Sequence, residues 1–362
     1  MMSEQTGKKI MVGLSGGVDS SVAAWLLKQQ GYEVYGVTML AWREKEEPKF
    51  GPDGLIVRPE TTDARHVAEA LDIPYSVIDY RSEFRKEIVD YFTREYLAGR
   101  TPNPCVFCNR KIKWQSLLAA AARVGADTVA TGHYASVELL PNGRRTLKSA
   151  AEKDQTYALY RLSQEQLAHT VLPLGGMQSK EEVRKLAAEA GIPVAEKPDS
   201  QEVCFIPEGD YASFIARVTG HTSLPGNFVD KTGKVLGRHS GIIHYTVGQR
   251  KGLGIAFGEP AFVLELRPET NEVVLGFGDE ILSSALTADN LNWMSVADAP
   301  QEMQVTAKIR YNHRGAKAVL CRDGEDRVRV EFEEPQRAVT PGQAVVFYDG
   351  DLLVGGGTIR RA

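Results

Sequence analysis

The residues Gly13-Leu14-Ser15-Gly16-Gly17-Val18-Asp19-Ser20-Ser21 follow the apolar run Ile10-Met11-Val12 and lead into Val22-Ala23-Ala24-Trp25-Leu26-Leu27. A strand, a glycine-rich turn and a helix start make a phosphate cradle. The glycines let the backbone approach an anion, and the free N–H groups and positive dipole end of the helix hold its charge. Ser15 and Ser20 add hydroxyl donors, and Asp19 could hold Mg2+ on the phosphates. No lysine closes the loop, so it is not of the Gly-x-x-x-x-Gly-Lys-Ser/Thr type.

A second stretch, Thr101-Pro102-Asn103-Pro104-Cys105-Val106-Phe107-Cys108-Asn109-Arg110-Lys111-Ile112-Lys113-Trp114, sets two thiols among cations. The prolines predict an extended loop, with the cysteines just ahead of a helix. Helix N-terminus, Arg110, Lys111 and Lys113 together would lower a thiol pKa and favour the thiolate, which is both nucleophile and metal ligand. Two packed, inert cysteines are the plainer alternative. A structural zinc needs four ligands, and no second C-x-x-C or H-x-x-x-H is present. A third stretch, Lys197-Pro198-Asp199-Ser200-Gln201-Glu202-Val203-Cys204, carries one cysteine on what reads as a polar loop between domains. Cys321 reads as a core residue of a β-domain.

The elements that must position these groups alternate through the first half. Strand-like runs lie at Ile10–Val12, Val34–Met39, Tyr75–Ile78 and Thr128–Thr131, with helical spacing over Val22–Gln30, Thr62–Leu71, Glu83–Leu97 and Trp114–Val124. That alternation predicts a parallel sheet with helices on both faces. Glu44–Glu60 is charged and proline-rich and reads as a loop, and Gln164–Gly191 reads as helical and outside the sheet. Past Gly209 the runs turn short and β-rich: Gly241–Tyr245, Ala261–Leu266, Val273–Leu275, Val305–Ile309, Ala318–Leu320, Arg327–Phe332 and Ala344–Phe347. Asp323-Gly324 and Asp349-Gly350 are hairpin signals between some of them. These features predict three domains, at residues 1–209, 210–280 and 281–362, the last a β-barrel or sandwich.

With a formal net charge of −4, the 362-residue chain has no global basic field, so nucleic-acid binding would use local patches. No apolar run is long enough to span a bilayer and no signal-peptide pattern opens the chain, which predicts no membrane partner and a cytoplasmic location.

The glycine-rich turn resembles the Ser-Gly-Gly-x-Asp-Ser loop of the PP-loop ATP pyrophosphatases, which cleave ATP between the α and β phosphates. Taken with both cysteine stretches, the chain resembles the bacterial tRNA-specific 2-thiouridylases (the MnmA/TrmU family). Also similar are Gly132-His133-Tyr134, Lys153-Asp154-Gln155-Thr156-Tyr157, His239-Ser240-Gly241, Tyr245 through Gly254, Lys308-Ile309-Arg310-Tyr311 and Ala338 through Gln343. The resemblance covers nearly the whole chain. It implies an adenine nucleotide α-hydrolase-like α/β domain with a helical extension, a small central β-containing domain and a C-terminal β-barrel.

For function it implies adenylation of the C2 oxygen of a tRNA wobble uridine by ATP, then attack of sulfur at C2 and loss of AMP. By position, Gly13, Leu14, Ser15, Gly16, Gly17, Val18, Asp19 and Ser20 would bind the phosphates, and Met39 and Gly132 the adenosine. Cys108 would be the nucleophile and Cys204 the persulfide carrier. Asn103, Pro104 and Cys105 would face an extruded target base. His133, Lys153, Asp154, Gln155, Arg310, Tyr311 and Gln343 would touch tRNA. Residue by residue there are plainer readings: Asp154 as a helix cap, His133 at a strand end, Arg310 and Tyr311 as an exposed strand pair. The sulfur donor would be a cysteine desulfurase, a sulfur-relay protein or free sulfide.

One departure matters. Many family members carry an aspartate, the proposed general base, where this chain has Cys105. The resulting C-x-x-C, with Cys204, resembles the ligand set of iron–sulfur-dependent tRNA thiolases, in which three thiolates hold a [4Fe–4S] cluster whose open iron carries sulfide. A persulfide relay between Cys108 and Cys204 is the other route, and only the cluster makes Cys105 essential. Two further functions fit the loop. A PP-loop ligase or amidotransferase would not need the cysteines, and an ATP-gated RNA-binding protein would do no chemistry.

Overall fold

Five short apolar segments build a parallel sheet. In the computed structural model, which describes residues 6–43, 49–51, 57–197, 203–255 and 257–360, they are β1 (Lys9–Gly13), β2 (Glu33–Leu40), β3 (Tyr75–Asp79), β4 (Thr128–Ala130) and a later two-residue strand, Thr170–Val171. Between β4 and that strand lies an antiparallel hairpin, β5 (Ala135–Leu139) and β6 (Arg145–Ser149), so Thr170–Val171 is β7. The sheet order is β3-β2-β1-β4-β7, and every pair is parallel. From β1 the chain moves outward to β2 and β3, then returns to the other side of β1 as β4. The order therefore reverses at β1 and β4, and the crevice beyond their C-terminal ends is where such sheets bind ligands. The turn Gly13–Ser20 leaves β1 there, and Gly132-His133 leaves β4.

Helix α1 (Val18–Gln29) covers the sheet through Val22, Ala23 and Leu27. The helix Lys180–Glu189 joins the same core through Val183 and Ala187. Two expectations are corrected. Gln164–Gly191 is not wholly outside the sheet, because Thr170–Val171 pairs with β4. The cysteine stretch is not an extended loop: helix begins at Pro104, a residue suited to the first helical position because its missing N–H has no partner to lose.

By packing, the described chain divides into two compact units. The first holds residues up to Glu87, Cys105–Gln201 and Asp351–Leu353; the second holds Ile88–Pro104, Glu202–Gly350 and Val354 onward. Inside the second unit, β8 (Gly226–Val229), β9 (Val235–His239), β10 (Ala261–Arg267) and β11 (Glu272–Phe277) form a sheet in the order β10-β11-β8-β9 around Phe228, Val263 and Leu275. The predicted strand Gly241–Tyr245 is instead a 3-10 turn, Ile242–His244, where Gly241 takes φ +140°.

A six-stranded antiparallel barrel follows: β12 (Leu282–Trp293), β13 (Glu302–Lys308), β14 (Ala316–Arg322), β15 (Arg327–Arg337), β16 (Ala344–Asp349) and β17 (Leu352–Arg360). Its order is β12-β15-β14-β13-β16-β17, and β17 pairs back onto β12 to close it. Closure removes the exposed strand edges an open sheet would present. Leu286, Val305, Leu320, Val330, Phe347 and Ile359 fill the interior. Cys321, expected in the core, is half-buried on β14. Among the described residues no helix is long and apolar enough to cross a membrane. Much of the expected loop Glu44–Glu60 lies outside the described residues.

Candidate functional site

The turn after β1 has the geometry its composition predicts. Gly16 adopts φ +68°, and a Cβ there would lie 2.7 Å from the Glu60 carbonyl oxygen, so only glycine fits. Gly17 is the N-cap of α1 and offers no side-chain acceptor, which leaves the first-turn N–H groups to an anion. Ser15 is exposed, its N–H donates to Ser20 Oγ at 3.2 Å, and the Ser20 and Ser21 hydroxyls donate to Gly17 O. Leu14 and Val18 are buried and anchor the turn.

Asp19 does not present an open carboxylate. Tyr134 donates its phenol to Oδ1 at 2.7 Å, Lys180 pairs with the same oxygen, and Lys153 reaches Oδ2 at 3.4 Å. The expected Mg2+ ligand is thus held by two ammonium groups and a hydroxyl, a donor set that does not fit a divalent cation. Lys197 donates to Gly16 O at 2.9 Å and pairs with Asp63 at 2.5 Å. The loop has no lysine of its own, yet the fold brings three to it. Lys180, Lys197 and Tyr134 were not singled out as site residues, and no local pattern marks them: Lys180 is 161 positions from Asp19.

Gly132 is fixed by contact with this turn. A Cβ on it would stand 2.5 Å from the Asp19 carbonyl carbon and the Ser20 nitrogen. Met39, on β2, touches the Ser116 hydroxyl through its sulfur. Ser116 belongs to the helical run 104–123, which changes to π geometry over Asn109–Trp114, an irregularity frequent at functional sites. The same run packs on β1, where a Cβ at Gly13 would be 3.3 Å from Leu117. The helix that begins with the cysteines therefore leans on the strand that ends in the nucleotide turn.

Cys105 is exposed and Cys108 buried. Contrary to expectation, the Cys105 thiol pKa is raised: although the residue reaches solvent, the protein packed near it desolvates the thiolate by more than Lys113 stabilises it. Arg161, also not anticipated, lies over the Phe107 ring at 4.5 Å, and burial together with Arg161 pulls the Arg110 pKa down. Two crowded guanidinium groups beside the cysteines make an electropositive niche. Asn109 is buried and donates to Ala158 O at 2.9 Å, while its Oδ1 has no hydrogen-bond partner.

His133 shares a hydrogen bond of 2.8 Å with Thr131 Oγ1 and packs on Trp114 with ring centroids 5.6 Å apart. Desolvation first, then Lys113 and Lys153, hold its pKa well below the usual imidazole value, so the ring is neutral at pH 7. Asp154 accepts from Thr156 N and Oγ1, which makes it a local helix-start acceptor. Gln155 is locked to Tyr134 by two hydrogen bonds, of 2.9 and 3.0 Å.

In the second unit, Glu95 and Arg100 form a two-point ion pair at 2.6 and 2.9 Å just ahead of Thr101-Pro102-Asn103-Pro104. Gln343 donates its amide to Thr101 O at 2.8 Å, and Thr101 N donates to Pro341 O at 2.9 Å. Gln343 thus holds the loop that carries Asn103. Arg310 donates to Arg337 O at 3.1 Å, and Tyr311 is 45% exposed. Both follow β13 in a turn and are not a strand pair. Cys204 is exposed. Among the described residues no group of three or more His, Cys, Asp or Glu is gathered as metal ligands.

Three family models match the chain. They are a tRNA methyl transferase HUP domain over residues 8–208, a tRNA methyl transferase PRC-barrel domain over 212–277 and an aminomethyltransferase β-barrel domain over 283–359. A tRNA-specific 2-thiouridylase MnmA of Lachnoclostridium phytofermentans is 58% identical over 98% of this chain and 100% of its own length. Relatives of the same name from Acetivibrio thermocellus and Clostridium perfringens are 52% and 49% identical, each over 98% of this chain and 99% of their own length. Likeness of that degree from end to end places the chain in the tRNA-specific 2-thiouridylase (MnmA) family.

Proposed function

We propose that this protein carries out ATP-dependent 2-thiolation of the wobble uridine of tRNA. As a member of its family it is a tRNA sulfurtransferase. The supporting observation is the packing of the cysteine-bearing helical run onto β1 and β2, the strands that carry the nucleotide turn and Met39. In this reading the uracil O2 attacks the ATP α-phosphorus, the α–β anhydride bond breaks and pyrophosphate leaves. The turn N–H groups and the lysines around Asp19 stabilise the charge that develops on the phosphates. Sulfur then attacks C2, and AMP departs with the original oxygen. A cysteine desulfurase or relay protein passes a sulfane sulfur to Cys204 as a persulfide; its outer sulfur attacks C2 as AMP leaves, and the Cys108 thiolate then attacks the Cys204 sulfur, releasing the thiolated uridine and a Cys108–Cys204 disulfide that a dithiol reductant reopens, whereas free sulfide would attack C2 directly. Asn103, Pro104 and Cys105 face the base. His133, Lys153, Asp154, Gln155, Arg310, Tyr311 and Gln343 serve the tRNA, several of them by shaping the backbone that meets it. The division at about residues 209 and 280 assigns chemistry to the first part and tRNA grip to the other two.

Cys105 with a raised pKa is a protonated thiol at neutral pH and does not replace a carboxylate base. If an iron–sulfur cluster is present, Cys105, Cys108 and Cys204 would hold it and it would supply sulfide; the persulfide route needs only Cys108 and Cys204. The test is sulfur incorporation into unmodified tRNA with ATP, a cysteine desulfurase, cysteine and a dithiol reductant, read by retardation on a mercury gel. Cys108→Ser and Cys204→Ser should each lose more than a hundredfold. Pyrophosphate release that persists in both variants, with no sulfur incorporated by the wild type, would indicate the amidotransferase reading, and neither pyrophosphate release nor sulfur incorporation by the wild type would indicate a binding protein. Iron and acid-labile sulfide, assayed after anaerobic purification, would restore the cluster route if present in amounts matching the protein and lost in Cys105→Ala.

A further inference from the structure

We propose that Arg110, with Arg161 beside it, grips a backbone phosphate of the tRNA anticodon loop and so seats the strand against the cysteine helix. The inference rests on the tRNA reading and deepens it, by naming the part of the RNA that this corner of the site takes. Three cations follow Cys108: Arg110, Lys111 and Lys113. Lys111 is exposed and pairs with Glu87 at 2.9 Å. Arg110 is half-buried, and its guanidinium makes no hydrogen bond or ion pair among the described residues. A second guanidinium stands close to it. Arg161 is only 8% exposed, lies 4.5 Å from the Phe107 ring centroid and 5.4 Å from that of Tyr160, and donates from Nε to the Tyr160 hydroxyl at 2.9 Å. Burial and the Arg161 charge both disfavour the charged form of Arg110.

Packing fixes the two groups relative to each other. Asn109 is buried and donates to Ala158 O at 2.9 Å, and Gln166 donates to Arg110 O at 3.0 Å. Residues on either side of Arg161 thus hold the backbone of Arg110 and its neighbour, and all of them belong to the first unit. Like charges built this close are stabilised by an anion, and guanidinium forks match the paired oxygens of a phosphodiester. The position favours RNA as the source of that anion. Arg110 is two residues past Cys108, on the run that must meet the extruded base, and a flipped nucleotide brings its own backbone with it. A flat acidic protein face would not reach a guanidinium set as deeply as Arg161. No bond is made or broken here; Arg110 is a positioning residue.

The test measures binding of an unmodified anticodon stem-loop RNA to wild type, Arg110→Gln, Arg110→Lys and Lys111→Gln over a range of salt, each protein first checked for a cooperative melt. Arg110→Gln should bind at least tenfold more weakly, and the slope of log K against log salt should shrink by about 0.7, the share of one phosphate contact on a single strand. Lys111→Gln should stay within threefold of wild type, and ATP affinity within twofold in every variant. Methylphosphonate linkages, placed one at a time through the loop, locate the contact. At one position the neutral linkage should weaken wild type at least fivefold and Arg110→Gln less than twofold. Arg110→Lys keeps the charge and loses the fork; it should retain the salt slope and show a blunted penalty at that same position, which carries the test if Arg110→Gln does not fold. Equal losses in Arg110→Gln and Lys111→Gln, no loop position with the non-additive pattern, or a fall in ATP affinity matching that for RNA would overturn the assignment. If the wild type itself binds no anticodon stem-loop, the tRNA reading fails instead.

Discussion

Lys113 and the protein packed around Cys105 pull its thiol in opposite directions, and desolvation prevails. The sequence shows the cations, which suggest a thiolate; it does not show how much nearby protein weakens the solvation of a sulfur that still reaches the surface. His133 follows the same physics with the opposite charge, since burial and two ammonium groups disfavour its protonated form. The unfolded chain takes up a proton at this position as pH falls through about 6.5, whereas the native protein does so only well below. Protons then bind the unfolded state preferentially, and stability declines between pH 6.5 and the lower native value. His133→Asn should remove about 1 kcal/mol of that acid-side loss. Urea midpoints at pH 5.0 and 7.5 would show it as a smaller gap than in wild type, and an identical gap would count against a buried neutral ring.

Elements were legible where apolar density was high. β1 through β4 are near-continuous apolar runs, as strands covered on both faces should be. β5 and β6 were not read as strands, although Asn142-Gly143 between them is a strong hairpin signal. β12 was missed for a different reason: half of Leu282–Trp293 is polar, and its register is broken by bulges. β17 carries Gly355-Gly356-Gly357, which lowers its strand signal, yet a Cβ at Gly355 would lie 2.6 Å from Asn292 O. The seam that closes the barrel needs glycine because backbones meet there. Loop positioning was equally hidden. Gln343 reads as a tRNA contact by resemblance, and the structure shows it holding Thr101 O. Gln343→Leu should lower stability by about 1–2 kcal/mol by stranding that carbonyl. It should also reduce the thiolation rate more than the apparent ATP affinity; thermal melts and steady-state kinetics at varied ATP would measure the two effects.

At the scale of the molecule, the nucleotide turn, its lysines and the cysteine helix all belong to the first unit. ATP should therefore slow amide hydrogen exchange in α1 and in Lys180–Glu189. At ATP about a hundred times Kd, the unit would gain about 2.7 kcal/mol against opening. The barrel strands β12–β17 should change far less, and mass spectrometry of exchanged peptides would distinguish a local effect from a uniform one.

The chain crosses between the two units more than once. Phe92, in the helix Asp90–Leu97, packs edge-on against Phe205 and Phe214, with ring centroids 5.4 and 6.3 Å apart. More than a hundred residues separate these partners along the polypeptide. As the protein emerges from the ribosome, that helix must wait, its aromatic face uncovered, until residue 214 has been synthesised. Any shortened version ending before Tyr211 would keep this sticky surface permanently, which makes aggregation its expected fate.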